Sequence, residues 1–147
     1  MRAASCAAAA LLLALLGAAP VAAPQTAACA KGDFEAVVKE AGAALRELTE
    51  KNTPLFQAKL RQLKDKRKWS NEQYLKEAEP FVRDETIAGY DTKSQELVAR
   101  IAGAGQAEAV ADCARLAELR ADLKTLVETQ QSKWTHMFAK IEKELEK

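Results

Sequence analysis

Residues 113–147 read CARLAELRADLKTLVETQQSKWTHMFAKIEKELEK, and the spacing of their apolar side chains decides the fold class. Leu116, Leu119, Leu123, Leu126, Trp134, Met137, Ile141 and Leu145 recur at intervals built from threes and fours. A helix of 3.6 residues per turn gathers such positions onto one stripe, so this stretch predicts a long amphipathic helix. The same interval runs back through the chain. Phe34, Val37, Val38, Ala41, Leu45 and Leu48 show it, then Phe56, Leu60 and Leu63, then Tyr74, Leu75, Ala78, Phe81 and Val82, then Tyr90, Leu97, Val98 and Ile101. Nothing alternates with the period of two that a half-buried strand requires. The expected class is all-α.

Local punctuation sets the helix ends. Asp33 offers an N-cap for the first helix, and Ser70 with Gln73 has the spacing of a capping box, flanked by Trp69 and Tyr74 at the two staple positions. Gly103 and Gly105 in AGAGQ mark a second stop, and Asp112 marks a start shortly after. Pro54 and Pro80 each begin a new helix or bend an existing one. Taken as bends, they leave an elongated antiparallel bundle of three long helices at about 33–68, 70–103 and 108–146, kinked near Pro54 and Pro80. Each would span about 50 Å at 1.5 Å per residue. Taken as breaks, they give four or five shorter helices.

The first residues have a different character. Arg2, an alanine run, the apolar block Leu11–Ala19 and Pro20 with small residues after it follow the order of a secretory signal. The block is shorter than the roughly 20 apolar residues that span a bilayer. Residues 1–28 are therefore read as a signal peptide, with cleavage somewhere between 23 and 30, and residues 29–147 as a single helical-bundle domain. Export to the periplasm of a bacterium is the expected location, with no transmembrane segment in the mature chain.

Export gives the cysteines meaning. Cys6 leaves with the leader, so cleavage before Cys29 leaves Cys29 and Cys113 as one pair in an oxidising compartment. In three antiparallel helices the first and third begin at the same end, which puts that pair within reach of a disulfide. The alternative follows from Thr26-Ala27-Ala28-Cys29, which loosely matches a lipoprotein box. Acylated at Cys29, the protein would be a membrane-tethered structural lipoprotein of the outer membrane.

Charge excludes one class of partner. The chain carries 22 Lys and Arg against 21 Asp and Glu, and with Arg2 in the leader the remainder is formally neutral, without the basic excess of a nucleic-acid binder. The strongest local feature is KLRQLKDKRK, in which Lys59, Arg61, Lys64, Lys66, Arg67 and Lys68 stand against Asp65 alone. It would serve as a patch for an anionic surface or an acidic partner. More simply, it would pair internally with the acidic residues between Glu72 and Asp91, and charged runs most often solvate a helix face in this way.

No reaction is legible. The lone His136 falls off the apolar stripe and reads as a surface residue. Carboxylates stand four residues from a base, as in Glu35 with Lys39 and Glu96 with Arg100, a helix-stabilising arrangement. No haem attachment motif, glycine-rich phosphate loop or nucleophile with a base is present, and no cofactor or metal is expected. Gln130 interrupts the last stripe at a core position, as a polar layer would. The expectation is a non-enzymatic exported helical protein that acts by binding protein or envelope partners, chaperone-like or as an adaptor. An uncovered apolar edge would let it form a homodimer.

Overall fold

A computed structural model describes residues 29–106 and 112–147. The signal-peptide reading, its cleavage site and the expected helix start at about 108 lie outside the described residues. Four helices follow one another: α1 (Lys31–Arg67), α2 (Asn71–Val82), α3 (Glu85–Gln106) and α4 (Cys113–Glu146).

Local chemistry explains the ends. Ala30, not Asp33, is the N-cap of α1; Asp33 sits one turn in, where its Oδ2 accepts the Ala30 N–H at 3.0 Å. The capping box forms as expected, with Gln73 N–H donating to Ser70 Oγ (3.2 Å) and Ser70 N–H to Gln73 Oε1 (2.9 Å). Before it, α1 stops at Lys68, whose left-handed backbone (φ 54°) lets its own N–H and that of Trp69 close on the Asp65 and Lys64 carbonyls.

The two prolines behave differently. α1 runs through Pro54 without a break. The carbonyl that Pro54 leaves without a donor is that of Glu50, and both residues face solvent, where water satisfies it. The expected helix 70–103 is instead two helices, and the break falls at Arg83–Asp84, beyond Pro80. Arg83 is extended, and Asp84 restarts the chain as a cap: its Oδ1 accepts the Ile87 N–H at 2.7 Å.

Helix directions follow from long-range pairs. Cys29 and Cys113 are joined by a disulfide, with Cα atoms 5.1 Å apart. At the other end Lys59 meets Glu142 (3.0 Å) and Arg67 meets Glu144 (3.1 Å). α1 and α4 are therefore parallel, bridged at their beginnings and ion-paired at their ends. α3 runs against both, since Arg100 pairs with Asp122 and Asp91 with Lys133.

α4 is the hub. It packs against each of the other three helices, while the rest touch one another only glancingly. The larger apolar cluster lies toward the ends of α1 and α4, where Phe56, Leu60, Leu63, Phe81, Ile87, Met137 and Ile141 are buried. Trp134 and Phe138 join it, each edge-on to Phe56 with ring centroids 6.0 and 5.5 Å away. The aromatic stripe of α4 is thus core. The cluster nearer the disulfide is smaller, with Ala41, Leu119 and Leu123 buried.

Candidate functional site

Two features stand out once the helices are placed: a clamped joint between α2 and α3, and an open groove between α1 and α3.

The joint is built by α4. His136 and Lys140 lie one turn apart, and both reach Asp84 Oδ2, His136 through Nε2 at 2.9 Å. Lys140 Nζ also donates to the Pro80 carbonyl, near the end of α2. One lysine therefore ties the end of α2 to the cap of α3. His136, expected at the surface, is instead half-buried within this cluster, with its ring beside Tyr90. The Lys140 ammonium, then His136, then the Ile87 N–H hold the Asp84 carboxyl well below the usual carboxylate range.

The sign of the pH effect follows from that depression. The folded state prefers ionised Asp84, so its contribution is complete above the ordinary value of 3.8 and is lost as pH falls below it. Between pH 6 and 2, Asp84→Asn should lower the thermal midpoint at the neutral end and flatten its decline in acid. A variant whose midpoint falls parallel to the wild type would show that other carboxylates dominate.

The groove is bounded by Leu45 and Thr49 on α1 and by Gln95, Val98, Ala99 and Ala102 on α3, with Leu126 and Gln130 of α4 as its floor. Its volume is about 600 Å³. Val98 is 53% exposed in it. Gln130 is held by a hydrogen bond from its Nε2 to Ser94 Oγ (2.7 Å), and Ser94 donates in turn to the Tyr90 carbonyl (2.8 Å). The polar layer expected at Gln130 is this pair. At one end Asp91 is neutralised by Lys133 at 2.5 Å. Otherwise the lining carries no charge, in a chain of which 29% is charged. The opposite flank, between α1 and α4, differs: Glu40, Arg120, Lys124 and Glu128 all line it.

The basic run is largely spent on its neighbours. Lys59 and Arg67 pair with Glu142 and Glu144 of α4, and Lys66 donates to the Leu145 carbonyl. Lys64 donates to Asn71 Oδ1 and lies over the Tyr74 ring. Arg61 and Lys68 are exposed. The carboxylates expected to answer this run, from Glu72 to Asp91, do not, because α2 packs onto α4 instead of back along α1. Arg100 of α3 bridges to Asp122 of α4 (2.6 Å), which raises its pKa, with Glu96 a lesser contributor. Glu35 pairs with Lys31 rather than with Lys39.

Among the described residues no helix is long and apolar enough to cross a membrane, and no group of three His, Cys, Asp or Glu side chains could hold a metal ion. No family model, curated protein or solved structure matches this chain.

Sequence reasoning missed both features. Asp84 followed by Glu85 has the composition of a helix start, and His136 with Lys140 at i, i+4 shares one face, so the joint left a trace. The groove left a second one: Leu45 and Thr49 on α1, and Asp91, Gln95, Val98 and Ala102 on α3, repeat the four-and-three interval a step away from the residues that face α4.

Proposed function

We propose that the protein is a non-enzymatic, exported binding protein that holds apolar segments of other polypeptides in the groove between α1 and α3, as a chaperone or adaptor in the periplasm. The observation that carries this reading is the groove itself, open and lined by aliphatic and neutral polar side chains, with paired Asp91 its one charged residue, beside a surface otherwise dense in charge. An apolar cleft with few, well-placed polar groups is the general form of a binding site. The titratable cluster at the joint, Asp84 with His136 and Lys140, is consumed in fixing helix ends.

Tethering through an acylated Cys29 is the alternative. The bond from Cys29 to Cys113 uses the sulfur that a lipid thioether would need, which supports the untethered form. Docking on an anionic surface would fall to Arg61 and Lys68, exposed and outside the contacts that engage Lys59, Lys64, Lys66 and Arg67.

The purified protein, disulfide intact, should delay aggregation of an unfolded client at near-equal molar ratio. Val98→Glu should abolish the delay while leaving helicity unchanged. Protection that survives Val98→Glu would remove the groove from the reading, and no protection at all would remove the chaperone form of it.

A further inference from the structure

We infer that the groove face is also where two copies of this chain meet, in a reversible two-fold dimer with α1 of each copy against α3 of the other. The inference stands independently of the binding role.

α1 and α3 each use one heptad face against α4 and leave a second face toward the groove between them. On α1 that face includes Leu45 and Thr49, with exposed Val38 one heptad before Leu45; on α3 it includes Val98 and Ala99. A helix with two apolar heptad faces is the kind that sits inside a larger bundle, and here only one face is occupied. Bringing two copies together face to face makes a four-helix layer from both α1 and both α3, with each α4 outside. In each copy the one charged residue lining the groove, Asp91, is paired with Lys133, so no unpaired like charges meet.

The rims choose the arrangement. The Arg46 guanidinium on α1 lies beside Gly42, 3.7 Å from where a Cβ there would sit, and is exposed one residue beyond Leu45 of the groove wall. Glu96 is exposed on α3. Leu45 and Gln95 line the same groove, so their chain neighbours Arg46 and Glu96 stand at about the same level. A two-fold axis parallel to the bundle preserves levels and carries α1 of one copy opposite α3 of the other, which sets Arg46 against Glu96 twice. An axis that placed α1 on α1 would set Arg46 near Arg46.

Size predicts reversibility. From Val38 to Asn52, and from Ala88 to Ala102, each face is about 22 Å long and two helices wide, burying roughly 900 Å² in total over both copies. That lies below the range of permanent dimers, so exchange at micromolar concentrations is expected.

Sedimentation of the disulfide-bonded protein from about 1 to about 500 μM tests this, over the range where weak complexes dissociate. Monomer at the low end and dimer at the high end is expected. Ala99→Glu should raise the dissociation constant at least about tenfold by burying two unpaired charges, with helicity and thermal midpoint unchanged. Arg46→Glu alone should weaken the dimer about fivefold, and adding Glu96→Arg should restore it. Both positions are exposed, so this pair reads the interface without disturbing the fold. A monomer at every concentration would overturn the inference, as would a dimer indifferent to Ala99→Glu. A double variant no tighter than Arg46→Glu would overturn the pairing of α1 with α3.

Discussion

Replacing both Cys29 and Cys113 with serine should cost about 4 kcal/mol of unfolding free energy, because the bridge closes a loop spanning 84 residues. Set against the 5–15 kcal/mol of a typical domain, this would leave a marginal fold. The location makes the loss uneven. α1 and α4 are parallel, so the disulfide joins their first turns covalently, and beyond buried Leu116 the apolar cluster beside it is thin, with Ala41, Leu119 and Leu123 as its buried members among the described residues. The other end keeps Phe56, Leu60, Leu63 and Ile141 without help. Amide exchange in the double variant should therefore accelerate most between Lys31 and Leu45 and least between Phe56 and Leu63. Denaturant unfolding gives the total and hydrogen exchange its distribution. A loss under about 1 kcal/mol would mean that packing alone fixes the parallel pair.

What the sequence showed and what it hid divide along a physical line. Features closed by neighbours in the chain were legible: the Ser70–Gln73 box is satisfied within four residues, and the interval of three and four declares a helix wherever it occurs. The disulfide was legible by count and by topology. The break at Arg83–Asp84 was not, since Pro80 drew attention to the wrong residue and the joint is held by His136 and Lys140, more than 50 positions away. Ion partners of the basic run were misassigned because they depend on which helix α2 packs against. The groove needed the same knowledge. Val37 and Val38 are adjacent and equally apolar, and only the placement of α4 decides that Val37 packs inward while Val38 stays exposed.

The uneven core can be tested directly. Ile141 is fully buried in the larger cluster, so Ile141→Ala should cost about 3–4 kcal/mol, the transfer term for the lost carbons plus a cavity that the aromatic neighbours cannot collapse to fill. Leu119 is also buried, but its cluster is thin and half-buried Phe34, Val37 and Ile101 can settle inward. Leu119→Ala should therefore cost nearer 2 kcal/mol, the lower end of the range for such truncations. Guanidinium unfolding of the two variants checks the order. Equal losses would mean that the region near the disulfide is as rigidly packed as the far end. The predicted order would mean that packing dominates at the ends of α1 and α4 and the covalent bridge at their beginnings. In that case the wall of the groove at Leu45 owes its position to the bridge more than to the core, and reducing the disulfide should loosen the groove before it unfolds the bundle.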